Sequence, residues 1–136
     1  MLSCESSTLR VLVVDDHELT RITLQMVLSS QKNMTVVGLA TNGKEAVEMV
    51  KRHQPDVIVL DLQMPVMDGW TASDQIKAIA PNTQIIAYSS VEEAKTKEPK
   101  SIVSWDAFCK KEVPTIELVA LVRQLRNAIS NSSLGK

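Results

Sequence analysis

Cysteine, charge of one sign and long apolar runs are all scarce in this chain of 136 residues. Its two cysteines are Cys4, in a polar leader, and Cys109, in an apolar segment. Cysteines placed in this way indicate reduced thiols and argue against a disulfide framework or a metal site built on cysteine. The formal net charge is -1, which excludes a strongly basic nucleic-acid binder and a disordered charged chain.

No apolar run reaches the ~18 residues that a membrane-spanning helix needs, and residues 1–10 (MLSCESSTLR) are too polar for a secretory signal. The sequence therefore predicts a soluble, cytoplasmic protein without membrane contact. Its length and its 44% content of hydrophobic residues suit one ordinary domain with a sizeable core. We expect a flexible leader at 1–8, a folded domain at 9–130 and a tail or the start of a linker at 131–136.

Five short apolar segments alternate with five segments of helical pattern. The predicted strands are Leu9–Val14, Met34–Ala40, Val57–Leu60, Thr83–Tyr88 and Asp106–Cys109. The predicted helices are Glu18–Ser30, a helix from Gly43 that ends at Gln54, Trp70–Ile79, a short or distorted helix within 91–104 that contains Pro99, and a long helix that follows Pro114 and extends to about Ile129. Such alternation is typical of parallel βαβ units and predicts an α/β three-layer sandwich.

Two of these helices carry more detailed predictions. In the first helix, Leu19, Ile22 and Met26 recur at three- and four-residue steps, so this side is predicted to face the core. At the start of the second helix, Asn42 and Glu45 resemble a capping box. The Asn42 side chain would accept from the free amides of the helix, and Glu45 would reach back.

Acidic residues directly follow two of the predicted strands. Asp15 and Asp16 come after the first strand, and Asp61 comes after the third. Because the carboxyl ends of parallel strands share one edge of a sheet, the three carboxylates should lie close together and repel unless one is protonated or a hard cation binds. Magnesium is the natural candidate. With an ammonium and hydroxyls at the same edge, the groups favour phosphoryl transfer; the residues concerned are Lys111, Ser89 and Ser90.

Four motifs occur in a fixed order along the chain: VLVVDD, VIVLDLQMPVMDG, IIAYS and FCKK. As a set they resemble the response regulator receiver domains, the CheY-like family, from about Leu9 to about Ile129. The Lys111–Glu112 pair without a following proline is most similar to the NarL/FixJ branch, whose members usually carry a helix-turn-helix output domain. The resemblance implies a flavodoxin-like fold, with a five-stranded parallel sheet of order 2-1-3-4-5 and five surrounding helices.

The resemblance also implies roles for residues of the acidic edge. Asp61 matches the phosphoacceptor of the family. Asp15 and Asp16 match the acidic pair that holds Mg²⁺, or Mn²⁺, together with Asp61 and the backbone carbonyl of Gln63. Lys111 matches the invariant ammonium.

Two further residues match the switch of the family. Ser89 matches the hydroxyl that hydrogen-bonds the phosphoryl group, and Phe108 matches the aromatic residue whose rotamer is coupled to it. Gln63 and Ser90 flank the expected phosphoryl site. We expect these two residues to tune the lifetime of the acyl phosphate.

The function implied is that of a two-component signalling switch, with only self-phosphorylation from phosphodonors and self-dephosphorylation expected as chemistry. A sensor histidine kinase or a phosphotransfer protein would phosphorylate Asp61. The output surface formed by the helix at 91–104, the fifth strand and the final helix would then change, to regulate transcription. Homodimerisation is compatible with this function, and DNA would be contacted only through an output domain outside this chain.

Three other functions compete with this interpretation. A stand-alone receiver or pseudo-receiver would act through protein–protein interaction. A Mg²⁺-dependent phosphohydrolase of the haloacid dehalogenase type also uses an Asp nucleophile, but it requires a second acid two residues after the nucleophile, where this chain has Gln63. A flavodoxin-like cofactor binder requires a Ser/Thr-rich phosphate loop after the first strand, where this chain has Asp15–Asp16–His17–Glu18.

The segment ahead of the fifth strand departs from the family pattern. Ser104–Trp105 replaces the usual Gly-Ala pair, and we expect 91–105 to be remodelled for an unusual partner or partly mobile. Trp70 and Trp105 are predicted to be packing residues rather than ligand platforms, and Phe108 is predicted to pack in the core. The two histidines, His17 and His53, are predicted to lie at the surface without partners at ligand spacing.

Overall fold

The structure, a computed structural model, describes residues 8–90 and 104–134 as a parallel sheet flanked by helices. In chain order the elements are β1 (Leu9–Val14), α1 (Glu18–Ser29), β2 (Met34–Ala40), α2 (Gly43–His53), β3 (Val57–Leu60), α3 (Gly69–Ile79), β4 (Gln84–Ser89), β5 (Ala107–Lys110) and α4 (Thr115–Leu134). The helix predicted within 91–104, with Pro99, lies outside the described residues except for its last position, Ser104, and Cys4 lies outside them as well. The last helix of the chain is therefore the fourth one described.

The sheet has the strand order β2-β1-β3-β4-β5, and every neighbouring pair is parallel. This confirms the predicted topology and the α/β class. All four residues of the central strand β3 are buried, as expected for an apolar run in a sheet that is covered on both faces. The register pairs Val14 with Leu60 and Ser89 with Lys110. The residues that follow these pairs therefore emerge side by side at the carboxyl edge of the sheet.

Each face of the sheet packs against its own pair of helices, because successive strand side chains point to opposite faces. Val11 and Val13 of β1 pack with α1 and α4, whereas Leu12 and Val14 pack with α2 and α3. Each helix contributes buried residues at an i, i+4 spacing, the spacing of one apolar stripe. These residues are Leu24 and Leu28 of α1, Ala46 and Val50 of α2, Ala72 and Ile76 of α3, and Leu118 and Val122 of α4.

The buried face of α1 is not the predicted one. Leu19, Ile22 and Met26 are exposed, Leu19 to 77%, whereas Leu24 and Leu28 are buried. The helix carries apolar residues on two opposite sides, and a helical period alone cannot choose between them. A contact at the start of the helix contributes to the choice, because the Arg21 guanidinium donates to the Asp15 backbone carbonyl at 2.7 Å. This contact holds the side of the helix that carries Leu24 and Leu28 over β1.

The predicted N-terminal cap of α2 is confirmed, with one difference. The Asn42 side chain accepts from the Glu45 N–H at 2.9 Å. The Glu45 carboxylate, however, accepts from the backbone N–H and the hydroxyl of Thr41, at 2.7 and 2.9 Å, and these two bonds lower the pKa of Glu45. Glu45 therefore holds the end of the β2–α2 loop one residue earlier than a capping box would.

Several element bounds differ from the predicted ones by a few residues. The helix α3 begins at Gly69, and β4 and β5 each lie one residue further along the chain than predicted. The helix α4 continues to Leu134, beyond the predicted end near Ile129. Within 8–90 and 104–134, no helix combines the length and the apolarity that crossing a membrane would require.

The loop between β3 and α3 contains a strained residue, Val66. Its φ is 71°, and the Met67 N–H donates to the Pro65 carbonyl oxygen at 2.7 Å, which makes the segment a γ-turn of the rare, strained kind. The Val66 side chain is 77% exposed, so little packing offsets the strain.

We expect Val66→Gly to raise the free energy of unfolding by about 1 kcal/mol, because relief of backbone strain outweighs the added chain entropy of glycine. Urea denaturation of this variant beside Val66→Ala tests the expectation. Alanine keeps the Cβ atom and should give no comparable gain, and equal stability of the two variants would contradict it.

Candidate functional site

The three predicted acids meet at the carboxyl edge of the sheet. The Asp61 N–H donates to the Val14 carbonyl at 2.9 Å, and the Asp15 N–H donates to the Ala40 carbonyl at 3.0 Å, so the ladder holds both residues as it ends. Asp15 and Asp61 are buried, and Asp16 is half-buried. The sheet therefore forces carboxylates together in a place with little water, where mutual repulsion is strong.

Lys111 supplies the positive charge of this pocket, as predicted. Its backbone N–H donates to the Ser89 carbonyl at 3.0 Å, which extends the pairing of β4 with β5 by one residue. The ammonium Nζ lies 3.0 Å from Asp15 Oδ2 and 3.4 Å from Asp61 Oδ1. It also lies 5.9 Å from the ring centroid of Tyr88, within the range of a cation–π contact. One lysine thus bridges the acids of two different strands.

Tyr88 is a site neighbour that sequence analysis missed. The ring is buried, and this burial raises the pKa of its hydroxyl. The position of Tyr88 in the sequence could have indicated this role. Tyr88 directly precedes Ser89 at the end of β4, and β4 pairs with β5, the strand that Lys111 follows.

The loop that follows Asp61 returns tightly onto the strand end. The Gly69 N–H donates to the Leu62 carbonyl at 2.8 Å, and a Cβ atom at Gly69 would lie 2.2 Å from the Asp61 carbonyl oxygen. The Asp68 side chain caps α3 by accepting from the Thr71 N–H at 2.8 Å. Gln63 is exposed within this loop. Close backbone packing, which only glycine permits, therefore sets the position of Asp61.

His17 belongs to the acidic pocket, and the prediction that it lacks partners was wrong. It is exposed, as predicted, but its Nδ1 lies 3.1 Å from Asp15 Oδ1 and 3.2 Å from Asp16 Oδ1. The hydrogen bond with Asp15 and then the charge of Asp16 raise the pKa of His17. The partners of His17 are the two residues that directly precede it, because the chain turns at the end of β1.

The donor set fits a divalent cation. One side-chain ligand atom from each of Asp15, Asp16, His17 and Asp61 lies within 4.8 Å of the others. The three carboxylates of Asp15, Asp16 and Asp61 and the one ammonium of Lys111 together carry a net negative charge that a single divalent cation would neutralise. Mg²⁺ is bound through one or two carboxylates and keeps several waters. The pocket offers this chemistry at its partly exposed mouth.

The predicted switch residues lie along β4 and β5. Ser89 is fully buried at the end of β4, and Ser90 follows it at an intermediate depth. Phe108 is 37% exposed, so the expectation that it packs in the core was wrong. It lines a surface cavity of about 430 Å³ between β5 and α4, together with Val113 and Leu121. In the described part of the chain, Phe108 and Lys110, which share one face of β5, are both exposed.

The two tryptophans pack as predicted. The ring centroids of Trp70 and Trp105 are 6.4 Å apart, and the rings are tilted by 60°. They adjoin Leu62, the residue after Asp61, and Ala87 of β4. In addition, the Ser104 hydroxyl is hydrogen-bonded to the Asp74 carboxylate of α3. The segment just ahead of β5 is therefore held against α3, close to the acidic edge.

A doubly wound parallel sheet with an acidic pocket and a lysine at its carboxyl edge defines a flavodoxin-like α/β domain with a site suited to cations and phosphate. The family model of the response regulator receiver domain matches residues 11–123. The chain therefore belongs to this family and is a receiver domain of a two-component response regulator.

Individual proteins agree with this assignment. A protein-glutamate methylesterase/protein-glutamine glutaminase 2 of Photobacterium profundum is 46% identical over 90 residues, which cover 66% of this chain and 23% of that protein. The response regulator protein VraR of Staphylococcus aureus is 35% identical over 117 residues, or 86% of this chain and 56% of that protein. The chain thus spans about a quarter of the first relative and just over half of the second.

Similarity to solved structures extends over nearly the whole chain. The REC domain of AraT, a response regulator from Geobacillus stearothermophilus, has a TM-score of 0.82 with 27% sequence identity. The similarity covers 93% of this chain and 98% of that one.

Proposed function

We propose that Asp61 accepts a phosphoryl group from the phosphohistidine of a sensor histidine kinase or a phosphotransfer protein, in a reaction that needs Mg²⁺. The observation that carries the proposal is the pocket itself: Asp61 is buried at the end of the central strand, 3.4 Å from the Lys111 ammonium and beside the pair Asp15–Asp16. Membership of the receiver family supports the same role.

In the proposed reaction, a carboxylate oxygen of Asp61 attacks the donor phosphorus. A phosphorus–oxygen bond forms as the phosphorus–nitrogen bond of the donor breaks, and the leaving imidazole keeps the electron pair and takes a proton. Lys111 is near enough to Asp61 to neutralise charge on the incoming oxygens. The product is an acyl phosphate on Asp61.

Asp15, Asp16 and Asp61, with the backbone carbonyl of Gln63, would hold the cation in this proposal. A bound Mg²⁺ supplies charge neutralisation on the phosphoryl oxygens. Without any cation, the carboxylates of the pocket repel an incoming phosphate. The dependence of phosphorylation on Mg²⁺ follows from this repulsion.

After phosphorylation, the Ser89 hydroxyl would hydrogen-bond the new phosphoryl oxygens. Ser89 is buried, and its partner in the sheet register is Lys110 of β5. Phe108 lies two positions before Lys110 on the same strand and is exposed. A shift of β4 at Ser89 would favour an inward rotamer of Phe108 and change the surface formed by β5 and α4, which a partner can read as a population shift. Gln63 and Ser90 flank the phosphoryl group in this proposal and tune its lifetime.

We place the domain in the cytoplasm and assign its output to transcription through a DNA-binding segment outside this chain. The resemblance of the sequence to the NarL/FixJ branch supports this output. Because a methylesterase is matched as well as a response regulator, the family alone does not choose between these outputs.

Incubation with acetyl phosphate and Mg²⁺, followed by intact-mass analysis, tests the proposal. We expect one phosphate adduct on the wild type, none on Asp61→Asn, and none on the wild type in EDTA. Asp68→Asn is the matched control, because it removes another acid of the same loop while asparagine keeps the cap of α3.

The alternatives give different results. An adduct that persists on Asp61→Asn would overturn the assignment of the acceptor. A wild type that binds Mg²⁺ but takes up no phosphate would indicate a pseudo-receiver. Continuous turnover of a small phosphoester would indicate a phosphohydrolase.

A further inference from the structure

We propose that His17 is an additional ligand of the cation site and gives it a preference for first-row transition cations such as Mn²⁺ over Mg²⁺. The inference rests on the proposed function only in assigning a cation to the pocket of Asp15, Asp16 and Asp61. Nothing in it requires that Asp61 be phosphorylated.

The imidazole of His17 already lies among the candidate ligands of the cation. Nδ1 lies within 3.2 Å of carboxylate oxygens of both Asp15 and Asp16, and the four candidate ligand atoms are within 4.8 Å of one another. Opposite ligands of a six-coordinate ion are about 4.2 Å apart. The cluster therefore needs to contract by only about half an ångström to place all four atoms around one ion.

The backbone directs this nitrogen toward the acids. His17 is the residue that precedes α1, with an extended conformation (φ -93°, ψ 119°), and its N–H donates to Asp15 Oδ1 at 2.9 Å. The ring has little packing to break, because the side chain is 62% exposed. It can therefore turn by a small angle onto a bound ion while the loop stays in place.

A nitrogen donor among oxygen donors changes which cations the pocket prefers. Mg²⁺ is a hard ion that prefers oxygen ligands and retains water, whereas imidazole nitrogen suits transition cations. A nitrogen ligand thus adds affinity mainly for the later first-row cations and, to a smaller extent, for Mn²⁺, but little for Mg²⁺. The same pocket without His17 would offer oxygen donors alone.

The experiment measures cation binding to the full chain, wild type, His17→Ala and His53→Ala. His53 is the matched control, because it is the other of the two histidines and ends α2. Isothermal titration calorimetry gives the Mg²⁺ and Mn²⁺ affinities, and pulsed electron paramagnetic resonance of bound Mn²⁺ detects the nitrogen of a directly bound imidazole.

We expect His17→Ala to lose the imidazole coupling and to bind Mn²⁺ roughly tenfold more weakly, while Mg²⁺ affinity changes by less than about twofold. His53→Ala should behave as the wild type. Imidazole coupling that is absent from the wild type or survives in His17→Ala would overturn the inference. Equal losses of Mn²⁺ and Mg²⁺ affinity in His17→Ala would also overturn it, because they would indicate that His17 acts through its hydrogen bond to Asp15 and not as a ligand.

Failure of this inference is distinguishable from failure of the proposed function. Oxygen-only Mn²⁺ binding together with a phosphate adduct on Asp61 would overturn the role of His17 alone. Imidazole-bound Mn²⁺ without any adduct would leave His17 as a ligand and overturn the phosphoacceptor role.

Discussion

Lys111→Met is expected to destabilise the metal-free protein by about 2–3 kcal/mol and, at the same time, to raise its affinity for Mg²⁺. The side chain of Lys111 is 20% exposed and contacts two buried carboxylates, those of Asp15 and Asp61. Removing one partner of a buried ion pair costs about 3–5 kcal/mol because the other charge stays buried, and the partial exposure of Lys111 reduces this figure. The methionine keeps the apolar stem of the lysine.

The opposite effect on Mg²⁺ follows from the same charges. Without the ammonium, the pocket attracts a divalent ion more strongly, and an ion that binds only the folded state adds about 2.7 kcal/mol of stability at 100 times its dissociation constant. Urea unfolding in EDTA and in saturating Mg²⁺, with calorimetry of Mg²⁺ binding, checks both parts.

Lys110→Met is the matched control for this experiment. Lys110 is the exposed neighbour of Lys111, and its replacement should leave both stability and Mg²⁺ affinity nearly unchanged. If Lys111→Met loses the same stability with and without Mg²⁺, then contacts such as that with Tyr88, and not the charge of the pocket, explain the role of Lys111.

Gly69→Ala is expected to lower the free energy of unfolding by about 2–3 kcal/mol and to slow phosphorylation by acetyl phosphate. The added Cβ atom would lie 2.2 Å from the Asp61 carbonyl oxygen and 2.7 Å from Leu62 Cα. These are backbone atoms, so the contact is relieved only if the loop moves away from the strand end. Overpacking of this kind costs about 1–3 kcal/mol, and the shift displaces the proposed acceptor itself.

Gly38→Ala provides the comparison. Its Cβ atom would lie 3.2 Å from Leu12 Cδ1 and from Met49 Sδ, which are ends of flexible side chains that can move. Urea unfolding and the initial rate of adduct formation should therefore change much less in this variant. Similar losses in the two variants would show that the β3–α3 loop adapts easily and does not control the position of Asp61.

Much of the fold could be predicted because each strand is a short apolar run with a clear end. The alternation of strands with helical patterns indicated a parallel sheet, and Asp15, Asp61 and Lys111 each follow a strand directly. Parallel strands end at a common edge, so the meeting of these side chains did not depend on details of packing. The resemblance to the receiver family then supplied the order of the strands.

Other features could not be predicted from local patterns. The helix α1 has two apolar sides, and contacts with β1 rather than its period select the side of Leu24 and Leu28. The exposure of Phe108 depends on the place of β5 at the edge of the sheet. His17 lies among the acids because of a turn that no sequence spacing specifies.

The sequence by itself determined that this chain forms an α/β sheet and gathers carboxylates and a lysine at one edge, because strand periodicity and the residues at strand ends are local properties. Only the tertiary structure decided which face of α1 is buried, how Lys111 divides its contacts between Asp15 and Asp61, and that His17 joins them. These outcomes depend on distances between segments that are far apart in sequence or on the path of a turn. Packing and electrostatics in the folded state fix such distances.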